Sequence, residues 1–332
     1  MKSRIRQYLK KSKAAIVGYH VYENYRTGVR YRAGDNVTAV IPHGDFGGDL
    51  DANKHHATDS FDAYFSNSDL SVDALKGMRV LEVGPGDSFG VALKFLTKGA
   101  EQVICLDRFF CARDTGLERA TYEALREDLT GEERRRFDDA IDLSGDITVN
   151  PDRIRYIHNL ALEDAGTILA PSSFDLIVSM AVLEHVYDSD AAFAVMDRLL
   201  KPGGFMLHGV DFRDHGVFTS GGHHPLTFLT ITDSIYKLMS SNTGLPNRNI
   251  INYYRHKTSE LGYGSKITIA RTIGNDEVLR PHREKLILGQ EYSESTVAMI
   301  NKIRPRLQPK YQTLSDEDLM VSAIFLTIRK PG

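Results

Sequence analysis

Two cysteines in 332 residues, Cys105 and Cys111, are too few for a disulfide framework or a cysteine-ligated zinc site. No apolar run approaches the roughly 20 residues needed to span a bilayer. The N-terminus has neither the long apolar region nor the small-residue cleavage site of a signal peptide. A cytoplasmic protein is therefore expected. The net charge of -3 gives no global attraction to nucleic acid, and none is expected as a partner. Internal repeats and low-complexity tracts are also missing. What remains is ordinary: 42% hydrophobic and 26% charged residues, in a length that permits one large domain with additions.

The chain is organised around Val80-Leu81-Glu82-Val83-Gly84-Pro85-Gly86-Asp87-Ser88-Phe89-Gly90. An apolar run from Met78 to Val83 breaks into a turn with glycines at 84, 86 and 90. A helix-like segment, Val91 to Leu96, follows, and then a second apolar run, Val103 to Leu106, ends on Asp107. Strand, glycine loop, helix, strand and acid make the first half of a nucleotide-binding βαβ unit. Glycine lets backbone approach a ligand without a Cβ in the way, and an acid at the second strand's tip can accept from both hydroxyls of a ribose. The spacing is G-x-G-x-x-x-G rather than the dinucleotide fingerprint G-x-G-x-x-G. Glu82 and Asp87 would repel a pyrophosphate but suit a ligand with a cationic amino-acid end. Here the sequence resembles the class I S-adenosylmethionine (SAM)-dependent methyltransferases, whose first motif reads acid-x-G-x-G.

A second signal supports that resemblance. Phe174-Asp175-Leu176-Ile177-Val178-Ser179-Met180 reads as a strand opening, through Leu183-Glu184-His185, into a helix. Lys201-Pro202-Gly203-Gly204 then stops the helix, and Phe205 to Val210 reads as another strand. These elements follow the family's order and spacing, clearly from 76 to 212 and loosely to the C-terminus. The resemblance implies an α/β, Rossmann-like, doubly wound sheet of seven strands with an N-terminal cap and insertions on the substrate face. It divides the chain into a cap (1–75) and a methyltransferase domain (76–332). Within the domain lie a core to 212, an acceptor lid over 213–248, and C-terminal helices and strands over 249–332. It further implies that SAM lies against Glu82, Gly84, Pro85, Gly86, Asp87 and Ser88. The ribose falls on Asp107 beside Arg108, and the adenine near Leu162 and Glu163 or Asp164. Ser179, Met180 and His185 complete the cofactor wall.

Several flanking stretches carry expectations of their own. Lys2, Arg4, Arg6, Lys10, Lys11 and Lys13 mark a basic N-terminus, either a solvated helix or a peripheral contact with an anionic membrane. Alternation at Val17, Tyr19, Val21 and again at Val37, Ala39, Ile41 suggests short strands or an irregular cap. His43 to Asp51, with His55 and His56, reads as a glycine-rich loop over a ligand pocket, or as a metal-binding loop. By the resemblance, Phe61, Tyr64 and Phe65 are placed to close over SAM. Charge-dense 114–142 reads as one or two solvated helices. A helix over 249–261, a strand over 264–273 and a last strand over 321–328 complete the pattern.

The carboxyl end of the fifth strand, where ligands bind in open α/β sheets, carries Asp211-Phe212-Arg213-Asp214-His215. His215 is the expected base for a hydroxyl acceptor, with Asp211 or Asp214 orienting it. Arg213, His223, His224 and Arg248 are expected to contact the acceptor, Arg248 as an anion clamp. Structural roles for each histidine remain open, as does a divalent ion at this strand end, although no metal is assigned. No Asn/Asp-Pro-Pro-Tyr motif follows the fourth strand, which argues against adenine, cytosine and glutamine N-methylation. A small-molecule or sugar acceptor remains. The Gly84–Ser88 loop together with Asp211–His215 is similar to bacterial type 11-like methyltransferases associated with surface polysaccharide. Aminopropyl transfer on the same fold and a non-catalytic SAM-binding regulator are the rival readings.

Overall fold

The computed structural model describes residues 11–35, 50–111, 113–275 and 277–332. The run from His43 to Asp49 and the cations at 2, 4, 6 and 10 lie outside the described residues, so the glycine-loop and membrane-contact expectations fall largely there.

Seven strands form the main sheet: β1 (Arg79–Val83), β2 (Gln102–Leu106), β3 (Ile154–Ile157), β4 (Phe174–Met180), β5 (Leu200–Asp211), β6 (Gly264–Thr272) and β7 (Val321–Arg329). Their spatial order is β3-β2-β1-β4-β5-β7-β6. The first five are parallel, and β7 runs antiparallel between β5 and β6. Parallel strands covered on both faces read as continuous apolar runs, which is why β1, β2 and β4 were visible in the sequence. Side chains alternate between faces. Leu81, Val83, Ile104, Leu106 and Ile177 join one core; Val80, Val103, Cys105, Leu176 and Val178 join the other. The Lys-Pro-Gly-Gly turn is absorbed into the start of β5, where the register with β4 shifts between Phe174 and Leu176.

Helices cover both faces. On the first lie α6 (Ser189–Leu199) and α8 (Ile251–Leu261), through Phe193, Met196 and Tyr254. On the second lie α2 (Leu50–Ser66), α3 (Gly90–Thr97), α4 (Thr115–Glu127) and α5 (Gly131–Ala140). The charge-dense segment is thus two helices, as expected. Asp188 caps α6, its side chain accepting from the Ala191 amide at 3.0 Å. Leu183–His185 forms a separate 3-10 turn before that helix rather than its first turn.

Two expectations for the N-terminal region are corrected. Residues 17–32 belong not to strands but to a helix, α1 (Lys13–Arg32). Beyond Ile16 its buried positions are polar or glycine (His20, Glu23, Asn24, Thr27, Gly28), so the helical period was hidden from a hydrophobic count. Asn24 clasps the chain after α7 (Asp233–Ser240): its Nδ2 donates to Ser241 Oγ at 3.0 Å, and its Oδ1 accepts from the Asn242 amide at 2.6 Å. Phe61, Tyr64 and Phe65 do not close over a ligand. They pack around Phe95 of α3, with ring centroids 5.1, 5.9 and 6.2 Å away. None of the described helices is long and apolar enough to cross a membrane.

Phe61 is therefore a core residue. Phe61→Ala should lower stability by about 3–5 kcal/mol, read by denaturant unfolding, and leave donor affinity at low temperature unchanged. A lid residue would do the reverse.

Candidate active site

The site forms where β1, β2, β4 and β5 end. After Val83 the chain turns through Gly84 (φ 74°) and Gly86 (φ 71°), both left-handed. The Gly84 amide donates to the Leu106 carbonyl at 2.8 Å, tying the turn to β2. A Cβ on Gly84 would stand 2.4 Å from Val182 Cγ2, so only glycine lets the turn and the end of β4 meet. Ser88 Oγ accepts from the Gly90 amide at 3.0 Å and starts α3.

Asp107, just beyond β2, aims its carboxylate into the resulting cleft. It receives the Tyr156 hydroxyl at 3.3 Å and the Gly86 amide. Burial pushes its pKa up to about 7, against the opposing pull of Tyr156, Arg113 and Gly86. Met180, Ala181 and Val182 form one wall; Leu160, Leu162 and Glu163 form another. The Arg108 guanidinium stacks 3.7 Å over the Tyr187 ring. Glu163 accepts from the amides of Tyr187 and Asp188 at 2.8 and 3.1 Å, which fixes that wall to the start of α6. His185, Val186, Gly244 and His215 complete the lining.

Residues 59–257 match a family model described as a methyltransferase domain. The chain belongs to that family. Among curated proteins none matches significantly. Among solved structures, the methyltransferase is similar to Haemonchus contortus phosphoethanolamine N-methyltransferase 2 bound to SAM (15% identity, TM-score 0.42, 91% of this chain and 56% of that one). It is also similar to the YcgJ protein of Bacillus subtilis (14%, 0.41, 84% and 99%) and to the CurJ carbon methyltransferase (14%, 0.41, 100% and 70%). The chain thus spans little more than half the length of the Haemonchus enzyme.

The sheet order is the Rossmann-like one of class I methyltransferases, and the cleft fits SAM as a donor. Asp107 offers a buried acceptor for ribose hydroxyls, the left-handed glycines keep the floor free of side chains, and Leu160 and Leu162 offer apolar contact for a base. Of the residues expected at the cofactor, Gly84, Pro85, Gly86, Asp87, Asp107, Arg108, Leu162, Glu163, Met180 and His185 line this cleft. Glu82, Ser88 and Ser179 lie outside the lining. Glu82 is buried behind the turn, where Cys105 Sγ donates to it at 3.5 Å and burial raises its pKa to about 8. Ser179, fully buried, bonds His208 Nδ1 at 2.7 Å inside the sheet. His56, Phe109, Ala181, Val182, Val186 and Gly244 line the cleft and were not anticipated. Only His56 carried a signal, in the His55-His56 pair read as part of a loop.

The acceptor side needs more correction. Asp214 does not orient His215. Its carboxylate accepts from the amides of Gly216, Phe218 and Thr219 and from the Thr219 hydroxyl, at 2.6 to 3.1 Å. Arg213 forks back onto Asp211, its Nε 2.9 Å from both oxygens. Burial alone would raise Asp211, yet Arg213 and His215 outweigh it and hold the carboxyl below its ordinary value. Arg248 is no anion clamp: it is buried over the Tyr236 ring and donates to the carbonyls of Ile231 and Phe228 and to Asp233. His224 accepts from the Leu226 amide and reaches the Met299 carbonyl, away from the cleft. His223 packs edge-on to Phe218, also outside the lining.

Only the ionised Asp107 can accept from two hydroxyls, so donor binding should expel its proton. SAM affinity measured by calorimetry should fall by up to tenfold per pH unit below about pH 7 and level off above it. Asp107→Asn should flatten this profile and weaken binding at pH 8 by tenfold or more, about 1.4 kcal/mol.

Proposed function

We propose that the protein transfers the methyl group of SAM to a hydroxyl oxygen of a small, polar acceptor of the sugar or polyol class. The supporting observation is His215 in the cleft lining, against His185 with ring centroids 4.8 Å apart. Burial first, and Arg213 second, lower its pKa against the pull of Asp211, so the ring is neutral at pH 7. A neutral imidazole there can act on the proton that an acceptor hydroxyl must lose.

SAM, when bound, supplies an electrophilic methyl on a sulfonium. The protein's own work is mostly placement. The Met180–Val182 wall and the glycine turn fix the donor half, and His185, His215 and Gly244 border the space left for the acceptor. Reacting atoms held at about 3–3.5 Å gain most from such positioning. His215 has a left-handed backbone (φ 50°), rare for a non-glycine residue, because Asp214 winds the loop tightly beneath it. Backbone strain of this sort collects at working sites.

Labelled SAM incubated with panels of sugars, polyols, amines and carbon acids tests the reading directly. Label on an ether oxygen supports it; label only on nitrogen or carbon overturns it. His215→Gln should lower kcat by about 10²–10⁴-fold with donor affinity retained. With SAM kept saturating, the wild-type kcat should hold as pH falls through the ordinary imidazole value of about 6.5.

A further inference from the structure

At the edge of the cleft where the turns after β4 and β5 meet stands a cluster of three potential metal ligands. Glu184 and His185 come from the 3-10 turn after β4, and His215 from the strained turn after β5. One ligand atom from each lies within 4.8 Å of the others. Glu184 is 1% exposed; its Oε1 accepts from the Asp211 amide at 3.2 Å, while Oε2 has no hydrogen bond among the described residues. His215 Nε2, also buried and without a hydrogen bond there, is 3.9 Å from Glu184 Oε1, too far to donate to it. Leaving a carboxylate oxygen buried and unmatched costs free energy that a cation would offset.

We propose that Glu184, His185 and His215 form a divalent transition-metal site whose open coordination positions receive the acceptor's oxygen. Two imidazoles and one carboxylate suit Zn2+, Mn2+, Fe2+ or Co2+ better than Mg2+ or Ca2+, which prefer all-oxygen shells. Three protein ligands leave room for substrate, as in catalytic zinc sites. The inference rests on the hydroxyl reading above and deepens it. His215 acts on the hydroxyl through the bound ion instead of taking its proton directly. The ion lowers the hydroxyl's pKa; the O–H bond breaks, the proton passes to water, and the electron pair stays on oxygen. The left-handed backbone of His215 gains a reason, since that turn brings the third ligand to the other two.

The test reads binding without turnover. Full-length protein, stripped with chelator, is titrated with Co2+ and with Mn2+, following the visible Co2+ absorption and the bound ion per chain by equilibrium dialysis. One ion per chain at micromolar affinity, weakened at least 100-fold in Glu184→Gln and in His215→Gln, supports the site. So does a metal-dependent rise in Tm that both variants lose. Binding that is absent, or indifferent to both substitutions, overturns it. Should Glu184→Gln fail to fold, His185→Gln and His215→Gln carry the same comparison. SAM affinity measured alongside separates the two ideas. A methylated nitrogen would sink the hydroxyl reading while the metal titration still stands or falls by itself. Hydroxyl methylation unchanged in chelator would sink the metal alone.

Discussion

The close approach of Gly84 to Val182 sets the geometry on which the site depends. With 2.4 Å between the position of a Cβ and a valine methyl carbon, the turn after β1 and the end of β4 can meet only if residue 84 has no side chain. Their meeting makes the cleft floor. It leaves Asp107 facing inward and puts the Glu184–His185 turn within reach of the chain leaving β5. The remainder of the fold is a means of holding four strand ends in that relation, with two cores clamping the sheet from opposite faces.

The donor half was legible because its signals are local. Glycines at fixed spacing, an acid at a strand tip and apolar runs bounded by turns each follow from backbone sterics and burial, which act over a few residues. The strands at 79–83, 102–106, 174–180 and 321–329 and the residues from Gly84 to Asp87 could be read that way. Helix α1 could not, because beyond Ile16 its buried positions are polar or glycine and give no hydrophobic period.

The acceptor half was harder for a different reason. A charged residue announces its type in sequence but not its partner. Asp214 is consumed by three amides of its own loop, Arg248 by carbonyls of the segment before α7, and Arg213 by Asp211. Each looked like a free functional group and is spent on holding irregular chain together. Conversely Glu184, read only as part of a helix start, is the residue left with an unmatched buried oxygen. Partner choice is a tertiary property, and irregular backbone needs more side-chain partners than regular strands do.

The Asn24 clasp joins the N-terminal helix to Ser241 and Asn242, two residues before Gly244 of the cleft lining. Lys13 adds a bond to Thr230, on the other side of α7. The first described helix therefore packs against the segment before Gly244, and its Tyr31 hydroxyl also donates to the Asn159 carbonyl at 3.4 Å, beside Leu160 of the cleft wall. Helix α1, first in the chain, thereby braces chain on two sides of the cleft lining, so loosening the Asn24 clasp would be felt at the cleft and not only at the surface.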